Sequence, residues 1–541
     1  MTGSGGVTER GKYVNRYSRR DFIKASAVAV ATAAVPDGMF TGCATGSGRA
    51  LPPIDYSAPL RLNRCSVIDV DSGRVIPDRT ITIEKGILRS IEPTRPGNEA
   101  RHTSLDLGGS YVMPGLIDAH CHLTLQSCGY FRTVDAAKYV SQIKRNGQMQ
   151  VEAGVTTVRD MGSFPKMLHG LMDDYARDLR IGPRVVYCNA FTNIDGGHPD
   201  IRPSELSDFA PVSEALTGKM YLYYKNRNEL MDGLRKNVED GATFIKLTMD
   251  DLSLICGRGK IPVYSDDDLK TIFDFADSNG LPVAVHSLRY YGLKRALQYP
   301  VHSMEHITSD AVISDADIRT MARKKVSIVP TLIIGQTFAF RERYEAIPRA
   351  YETPFIKNEL AIRDEYVFRG EHRNYDADLH RLNIESIQWF RDPGCAAMPK
   401  EKKFLTDPEV GFNCLLNGPV NARRMRNAGI RIGCGTDSGV PLHYHGSLWR
   451  EMEMMTRIGF RNDEVLRSAT INNAGILGAA DAIGSLREGK RADILVLKDN
   501  PLRAIEALRS PLLVLSGGKV RYSAVDLKQN GAEAGDNAYA V

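Results

Sequence analysis

The stretch YVMPGLIDAHCHL, residues 111–123, is an apolar run that ends in His120-Cys121-His122. Side chains alternate faces along a β-strand, so His120 and His122 point one way and Cys121 the other. Two imidazoles on one face at the C-terminal end of a strand suit a single divalent metal. A lone His-x-His also arises by chance or as a surface pair. The metal reading therefore needs further ligands from elsewhere in the chain.

Outward from this stretch, residues 113–480 alternate short β-rich runs with amphipathic helical segments, an order that implies a parallel sheet. Strand candidates fall at 112–118, 156–159, 184–189, 243–248, 282–286, 301–305, 326–330 and 430–435. Eight strand–helix units predict a (β/α)8 TIM barrel, an α/β fold whose chemistry sits at the C-terminal ends of its strands. Residues 60–112 carry short alternating strands broken by Asp-Ser-Gly and Glu-Lys-Gly turns, and 481–541 repeats that style in ADILVLKDNPL, SPLLVLSGG and KVRYSAV. Neither end has enough strands for a stable sheet alone. The two are therefore expected to pair into one small β-sandwich beside the barrel.

Metal-type residues recur at the predicted strand ends. The fourth strand carries Lys246, the fifth ends in His286, the sixth in Glu305-His306, and the eighth in Gly435-Thr436-Asp437-Ser438-Gly439. Each has a plain alternative: a structural histidine, or an Asp that caps a turn. A lysine inside an apolar strand is rarer, because an unpaired buried ammonium is costly. Their joint recurrence in barrel order is what carries the metal reading.

With these residues in place, the chain resembles the amidohydrolase superfamily in its binuclear-metal form. Its text around Val112-Met113-Pro114-Gly115, GVTTVRD at 154–160 and GKRADILVL at 489–497 is similar to that family over residues 60–525, in the imidazolonepropionase-like and prolidase-like branch. The resemblance implies that His120, His122 and Asp437 hold a first metal and His286 and His306 a second. It implies that Lys246 reacts with CO2 to give a carbamate bridging both. The metals implied are two Zn(II) ions, with Mn, Co or Fe as alternatives. A hydroxide bridging the pair would attack the substrate, and Asp437 would take its proton and pass it to the leaving amine. The function implied is a metal-dependent amidohydrolase acting on a dipeptide of Xaa-Pro, Xaa-Arg or Xaa-Lys type, or on an N-acyl amino acid. A cyclic amide, lactone or ring substrate is the alternative, and a non-catalytic envelope binding protein is a third reading.

Several residues near this centre carry weaker signals. His198, in Gly196-Gly197-His198, is a candidate to hydrogen-bond the substrate carbonyl or to serve the loop. His443 and His445 are candidates to orient the ligands. Arg289 is a candidate clamp for a substrate carboxylate, with Tyr290 beside it. The place two residues after His286, where relatives often have His or Tyr, is Leu288 here. Cys121 is expected to pack, and Glu305 to be structural. The long segment 335–427 is expected to form a lid or a contact within a homo-oligomer.

The N-terminus reads as an address. Arg19-Arg20 precede Asp21-Phe22 and a short Ala/Val run, in the order of a bacterial twin-arginine export signal spanning 1–43. Phe40-Thr41-Gly42-Cys43 resembles a lipoprotein processing box, and a Gly/Ser/Pro-rich linker follows over 44–59. The export machinery is thus an expected partner, the periplasm or cell envelope the expected location, and Cys43 the one expected route to a lipid anchor. Across 541 residues the net charge is only +5, with no basic run interleaved with aromatics, which argues against nucleic acid. Nine cysteines without a CxxC pair argue against a disulfide scaffold and against a structural zinc knuckle.

Overall fold

The computed structural model describes residues 56–95, 103–125, 136–198, 220–252, 260–344, 346–370, 372, 374–389 and 409–524. The export segment with Cys43, most of the linker, residues 390–408 of the long insertion and the tail after 524 lie outside the described residues.

The chain opens with β1 (Leu60–Asp69), β2 (Arg74–Glu84), β3 (Ile87–Pro93), β4 (Thr103–Asp106) and β5 (Tyr111–Pro114). The central strands are β6 (Leu116–Cys121), β7 (Val155–Asp160), β8 (Arg184–Tyr187), β9 (Phe191–Ile194) and β10 (Tyr221–Tyr224). They continue as β11 (Ile245–Thr248), β12 (Val283–His286), β13 (Ser303–Glu305) and β14 (Ser327–Val329). The chain closes with β15 (Ile494–Leu497), β16 (Pro511–Ser516) and β17 (Lys519–Ser523).

The two ends do combine. β1–β5 and β15–β17 form one mixed eight-stranded sheet, in which β15 lies antiparallel to β5. The hydrogen bonding records one sheet where a sandwich of two layers was expected. Alternation along these strands buries one side of each, and Leu62, Val67, Ile81, Val112, Ile494, Val496 and Leu515 from both ends share one apolar core. Each such side chain contributes about 1.5–3 kcal/mol on burial. The β2–β3 loop is Lys85-Gly86 and the β16–β17 loop is Gly517-Gly518, all four with positive φ. Left-handed backbone at both loop residues is what a two-residue hairpin needs. The two loops touch: a Cβ on Gly86 would lie 2.6 Å from the Gly517 carbonyl oxygen.

The middle of the chain holds two parallel sheets, β6-β7-β8 and β10-β9-β11-β12-β13-β14. All six residues of β6 and all six of β7 are buried, so these strands show no alternation, as parallel strands covered on both faces require. Strand pairing does not join the sheets into one closed ring. The expected eighth strand at 430–435 forms only an isolated bridge, Ile328↔Ile432, and the loop after it forms another, Cys121↔Ser438. The expected first strand at 112–118 is cut at Gly115, whose N–H goes to Asp493 of the end sheet while Leu116 turns to Gly154. Two further strands, β9 and β10, were not expected. Helices intervene as anticipated, including Ala136–Glu152, Arg227–Glu239, Asp266–Ser278 and Asp315–Lys324. The described part of the insertion is helical too, over Pro354–Asp364, Ala377–Trp389 and Glu409–Asn427. Among the described residues no helix is long and apolar enough to cross a membrane.

The contact between the two hairpin loops is testable. Gly86→Ala forces a Cβ onto backbone at positive φ, and is expected to cost about 1–3 kcal/mol in urea unfolding. Unchanged stability would contradict the apposition of the two chain ends.

Candidate metal centre

β6 delivers His120 and His122 to one point. Their Nε2 atoms stand 3.2 and 3.1 Å from the same oxygen, Oδ1 of Asp437. Asp437 reaches that point because the loop after 430–435 folds over β6, with Asp437 N–H donating to the His120 carbonyl at 2.7 Å. It does so in a left-handed conformation, φ 57°, rare for a residue with a side chain. Underneath, buried Asp118 accepts the Thr436 hydroxyl at 2.6 Å and the Thr436 N–H at 3.1 Å. Burial pushes the Asp118 carboxyl up to about 6.

His286 ends β12, and His306 follows β13 at φ 71°. The His306 ring lies 4.6 Å from that of His120 and 4.5 Å from that of His286, centre to centre. Donor atoms of His120, His306 and Asp437 all fall within 4.8 Å of one another. Lys246, on β11, is only 4 % exposed. Burial lowers its pKa to about 8, against the pull of nearby Glu305 and Asp437. His198 packs its ring 4.9 Å from that of His286, and burial drives it down to about 3, so it is neutral.

The outer nitrogen of each inward ring is fixed. His122 Nδ1 meets the Gly162 carbonyl at 2.6 Å. A carbonyl only accepts, so Nδ1 carries the proton and Nε2 the lone pair. His306 Nδ1 meets Thr331 Oγ1 at 2.7 Å, and that hydroxyl donates its own proton to the Pro330 carbonyl at 2.9 Å. His306 therefore also presents Nε2 as a lone pair. His120 Nδ1 meets Glu305 Oε2 at 2.9 Å. Burial would raise the Glu305 pKa, but the Arg159 guanidinium and His120 hold it well below the usual carboxylate range. Arg159 in turn donates to the Ala119 carbonyl at 2.8 Å and ion-pairs with Glu305. His120 Nε2 is buried and makes no hydrogen bond among the described residues; what faces it is Asp437.

Lone-pair nitrogens turned toward a carboxylate repel unless a cation or a proton lies between. Burial lowers the pKa of His120 and drives that of His306 well down, so both rings are neutral. His122 alone is raised, where Asp437 outweighs burial. Burial would raise the Asp437 pKa, but the imidazoles hold it well below the ordinary range, so it is an anion. Neutral imidazoles converging on an anionic carboxylate in a buried space are a donor set for divalent zinc-type cations.

The weaker candidates divide. His443 Nδ1 meets the Thr436 carbonyl at 2.9 Å and His445 Nδ1 meets Ser438 Oγ at 3.1 Å, so both brace the loop that carries Asp437. Cys121 belongs to the main apolar core. Arg289 is not poised as a carboxylate clamp: its Nε donates to Asp251 at 2.7 Å and its Nη1 lies 3.5 Å from Asp310. Tyr290 is likewise committed, its hydroxyl bonding Asp317 at 2.5 Å and accepting from Ser314 N–H at 2.8 Å. The start of helix Asp315–Lys324 thus satisfies Tyr290, and the carboxylates of Asp251 and Asp310 satisfy Arg289, demands that sequence spacing does not reveal. Glu305 does more than fill space, because it fixes the His120 tautomer.

The supports missed from sequence are Asp118, Arg159, Asp160, Asp250 and Thr331. Asp118 and the pair Arg159-Asp160 had a signal: charges inside apolar strands. Asp160 accepts Leu123 N–H at 2.7 Å and Gly162 N–H at 3.1 Å, which shapes the carbonyl that holds His122. The insertion rests on the loop after Asp437: His380 Nδ1 meets the Tyr444 hydroxyl at 2.7 Å and His372 stacks on the Tyr444 ring at 4.1 Å. Beside it, the Arg450 guanidinium lies 3.8 Å from the centre of the Tyr366 ring.

With this geometry in place, comparison with known proteins locates the chain. A model of the twin-arginine translocation pathway signal sequence matches residues 16–36, which supports export across the membrane. An uncharacterized protein of Mycobacterium bovis is 24 % identical over 412 residues, covering 76 % of this chain and 85 % of that protein. An imidazolonepropionase of Phocaeicola vulgatus is 21 % identical, covering 83 % of this chain and 92 % of its own length. The crystal structure of a Xaa-Pro dipeptidase superposes with TM-score 0.65 at 22 % identity, covering 86 % of this chain and all of that one. The fold is thus TIM-barrel-like α/β. The model of the amidohydrolase family matches residues 111–521, and the chain belongs to that family, as a hydrolase of carbon–nitrogen bonds.

Proposed function

We propose that this chain is a two-metal amidohydrolase cleaving the amide bond of a dipeptide or an N-acyl amino acid. The observation that carries the reading is the shared Asp437 oxygen, 3.2 and 3.1 Å from two imidazole nitrogens, with His306, His286 and Lys246 buried alongside. His120, His122 and Asp437 would hold one cation and His286 and His306 the other. Lys246, as the carbamate it forms with CO2, would serve both; its lowered pKa supplies the free amine that this addition needs. Zn(II) fits the imidazole-rich donor set best, and Mn, Co or Fe also fit. When bound, the pair supplies Lewis acidity toward a carbonyl and lowers the pKa of water.

The chain's own residues do the rest. Asp437, kept anionic, takes a proton at its carboxylate from the attacking water and returns it to the nitrogen of the leaving amine. Water's hydroxyl ends on the acyl carbon and its proton on the amine, so the C–N bond is exchanged without a further reagent. His198, neutral and beside His286, donates N–H to the substrate carbonyl as charge builds on its oxygen. The helical insertion, seated on Tyr444, walls the loop that carries Asp437.

One observation favours a second reading. Among the described residues, the candidate clamp Arg289 is spent on Asp251 and Asp310, which suits a cyclic amide or lactone. The similarity to an imidazolonepropionase points the same way. The export signal supports a mature enzyme in the periplasm or envelope. Within this reading Cys43 of the Phe-Thr-Gly-Cys box is a lipid anchor and the insertion a contact in a homo-oligomer.

Dialysis of the purified enzyme against a chelator is expected to abolish hydrolysis, and zinc with bicarbonate to restore it. Activity indifferent to both would contradict the reading. Release of free amino acid from dipeptides or N-acyl amino acids supports the first substrate class, and turnover of lactones or rings alone supports the second. Lys246→Met is expected to lose activity yet stabilise the metal-free protein by about 1–3 kcal/mol near neutral pH, because a buried ammonium is removed. The sign follows from the lowered pKa: the folded state resists the proton that the unfolded state accepts. Loss of stability on that substitution would contradict it.

A further inference from the structure

His286, like His120 with Glu305, has a buried carboxylate from the end of another strand beside it. Its Nε2 is buried and makes no hydrogen bond among the described residues; what faces it, at 3.3 Å, is Oδ2 of Asp250, which leads off from the end of β11, two residues past Thr248. β11 and β12 pair in register at Thr248↔His286, and Met249 N–H donates to the His286 carbonyl at 3.0 Å. The Asp250 side chain is 1 % exposed. It accepts the Ser287 hydroxyl at 2.7 Å, Leu288 N–H at 3.0 Å and Arg289 N–H at 3.1 Å. One carboxylate thus pins every residue of the turn that follows His286.

We propose that Asp250 is a positioning residue for the second metal: its buried carboxylate, facing Nε2 of His286, holds the ring so that Nδ1 is the nitrogen offered to the cation. The inference rests on the two-metal reading above. A carboxylate behind an imidazole both orients it and raises its basicity, and loss of such a partner costs about 10–100-fold in metal affinity. Glu305 stands behind His120 and Thr331 behind His306 through hydrogen bonds, and Asp250 occupies the corresponding place beside His286 at 3.3 Å. The arrangement also accounts for Leu288 at a place where a second His or Tyr was looked for: its N–H is engaged by Asp250, and its side chain is buried.

The alternative is that Asp250 merely stabilises the turn before helix Tyr290–Ala296. Zinc binding separates the two. The wild-type mature chain, Asp250→Asn, Asp250→Glu and His286→Ala are titrated with zinc against a competing chelator in bicarbonate, and each metal-free form is melted. The expected result is two zinc ions on the wild type and unchanged affinity for the first in every variant. The second is expected to bind about 10–100-fold more weakly in Asp250→Asn, with partial recovery in Asp250→Glu. Asp250→Asn that keeps the second zinc with affinity within about twofold, whether or not its metal-free melting falls, overturns the inference and leaves the two-metal reading standing. A wild type that binds fewer than two, or His286→Ala that keeps both, overturns the two-metal reading and this inference with it.

Discussion

The structure depends on one close approach: the loop after residues 430–435 laid across the C-terminal end of β6. Ala119 and Thr436 exchange backbone bonds across it at 3.0 and 3.1 Å, with Cys434 and His120 as acceptors. Gly435 makes the approach feasible, since a Cβ there would lie 2.8 Å from that of His120. The result is that Asp437 arrives between two imidazoles by backbone geometry, before any ion is considered. Its left-handed φ costs of order 1–3 kcal/mol, as does that of His306. Strain at two proposed ligands, one on each side of the centre, is the kind that a fold retains for function.

Around that contact the electrostatics form layers. Cationic Arg159 fixes anionic Glu305, which fixes the His120 tautomer. Asp250 lies 3.3 Å from His286, and the neutral acceptors Thr331 and Gly162 serve His306 and His122. His120, His122 and His306 thus each keep a hydrogen-bonded nitrogen outside and turn Nε2 inward. Lys246 stands apart from this pattern. It is a buried base whose pKa burial lowers against the pull of Glu305 and Asp437, which makes its amine available. Removing one layer leaves a buried charge unpaired, so the inner donors and their supports stand or fall together.

Much of this was readable from residues alone, and the reason is periodicity. The His-x-His pair on one face of a strand, Lys246 in an apolar run and His286, Glu305 and His306 at strand ends all follow from a two-residue repeat and from the cost of burying charge. The pairing of the two chain ends was legible because neither end could be stable by itself. Three things were not legible. The eighth strand reduces to an isolated bridge because Gly435-Thr436-Asp437 leaves extended geometry to deliver a side chain. Arg289 and Tyr290 looked available, yet Asp251, Asp310 and Asp317 claim them, and such partners come from turns whose paths no local pattern encodes. Asp250 carries no pattern of its own in the sequence, and only the register of β11 with β12 brings it to His286.

The most direct test of the account is diffraction from zinc-loaded crystals grown with bicarbonate, with data on either side of the zinc absorption edge. Two anomalous peaks are predicted, one against His120, His122 and Asp437 and one against His286 and His306. Continuous density from the Lys246 amine should lie between them. A single peak, or peaks away from these side chains, would contradict it.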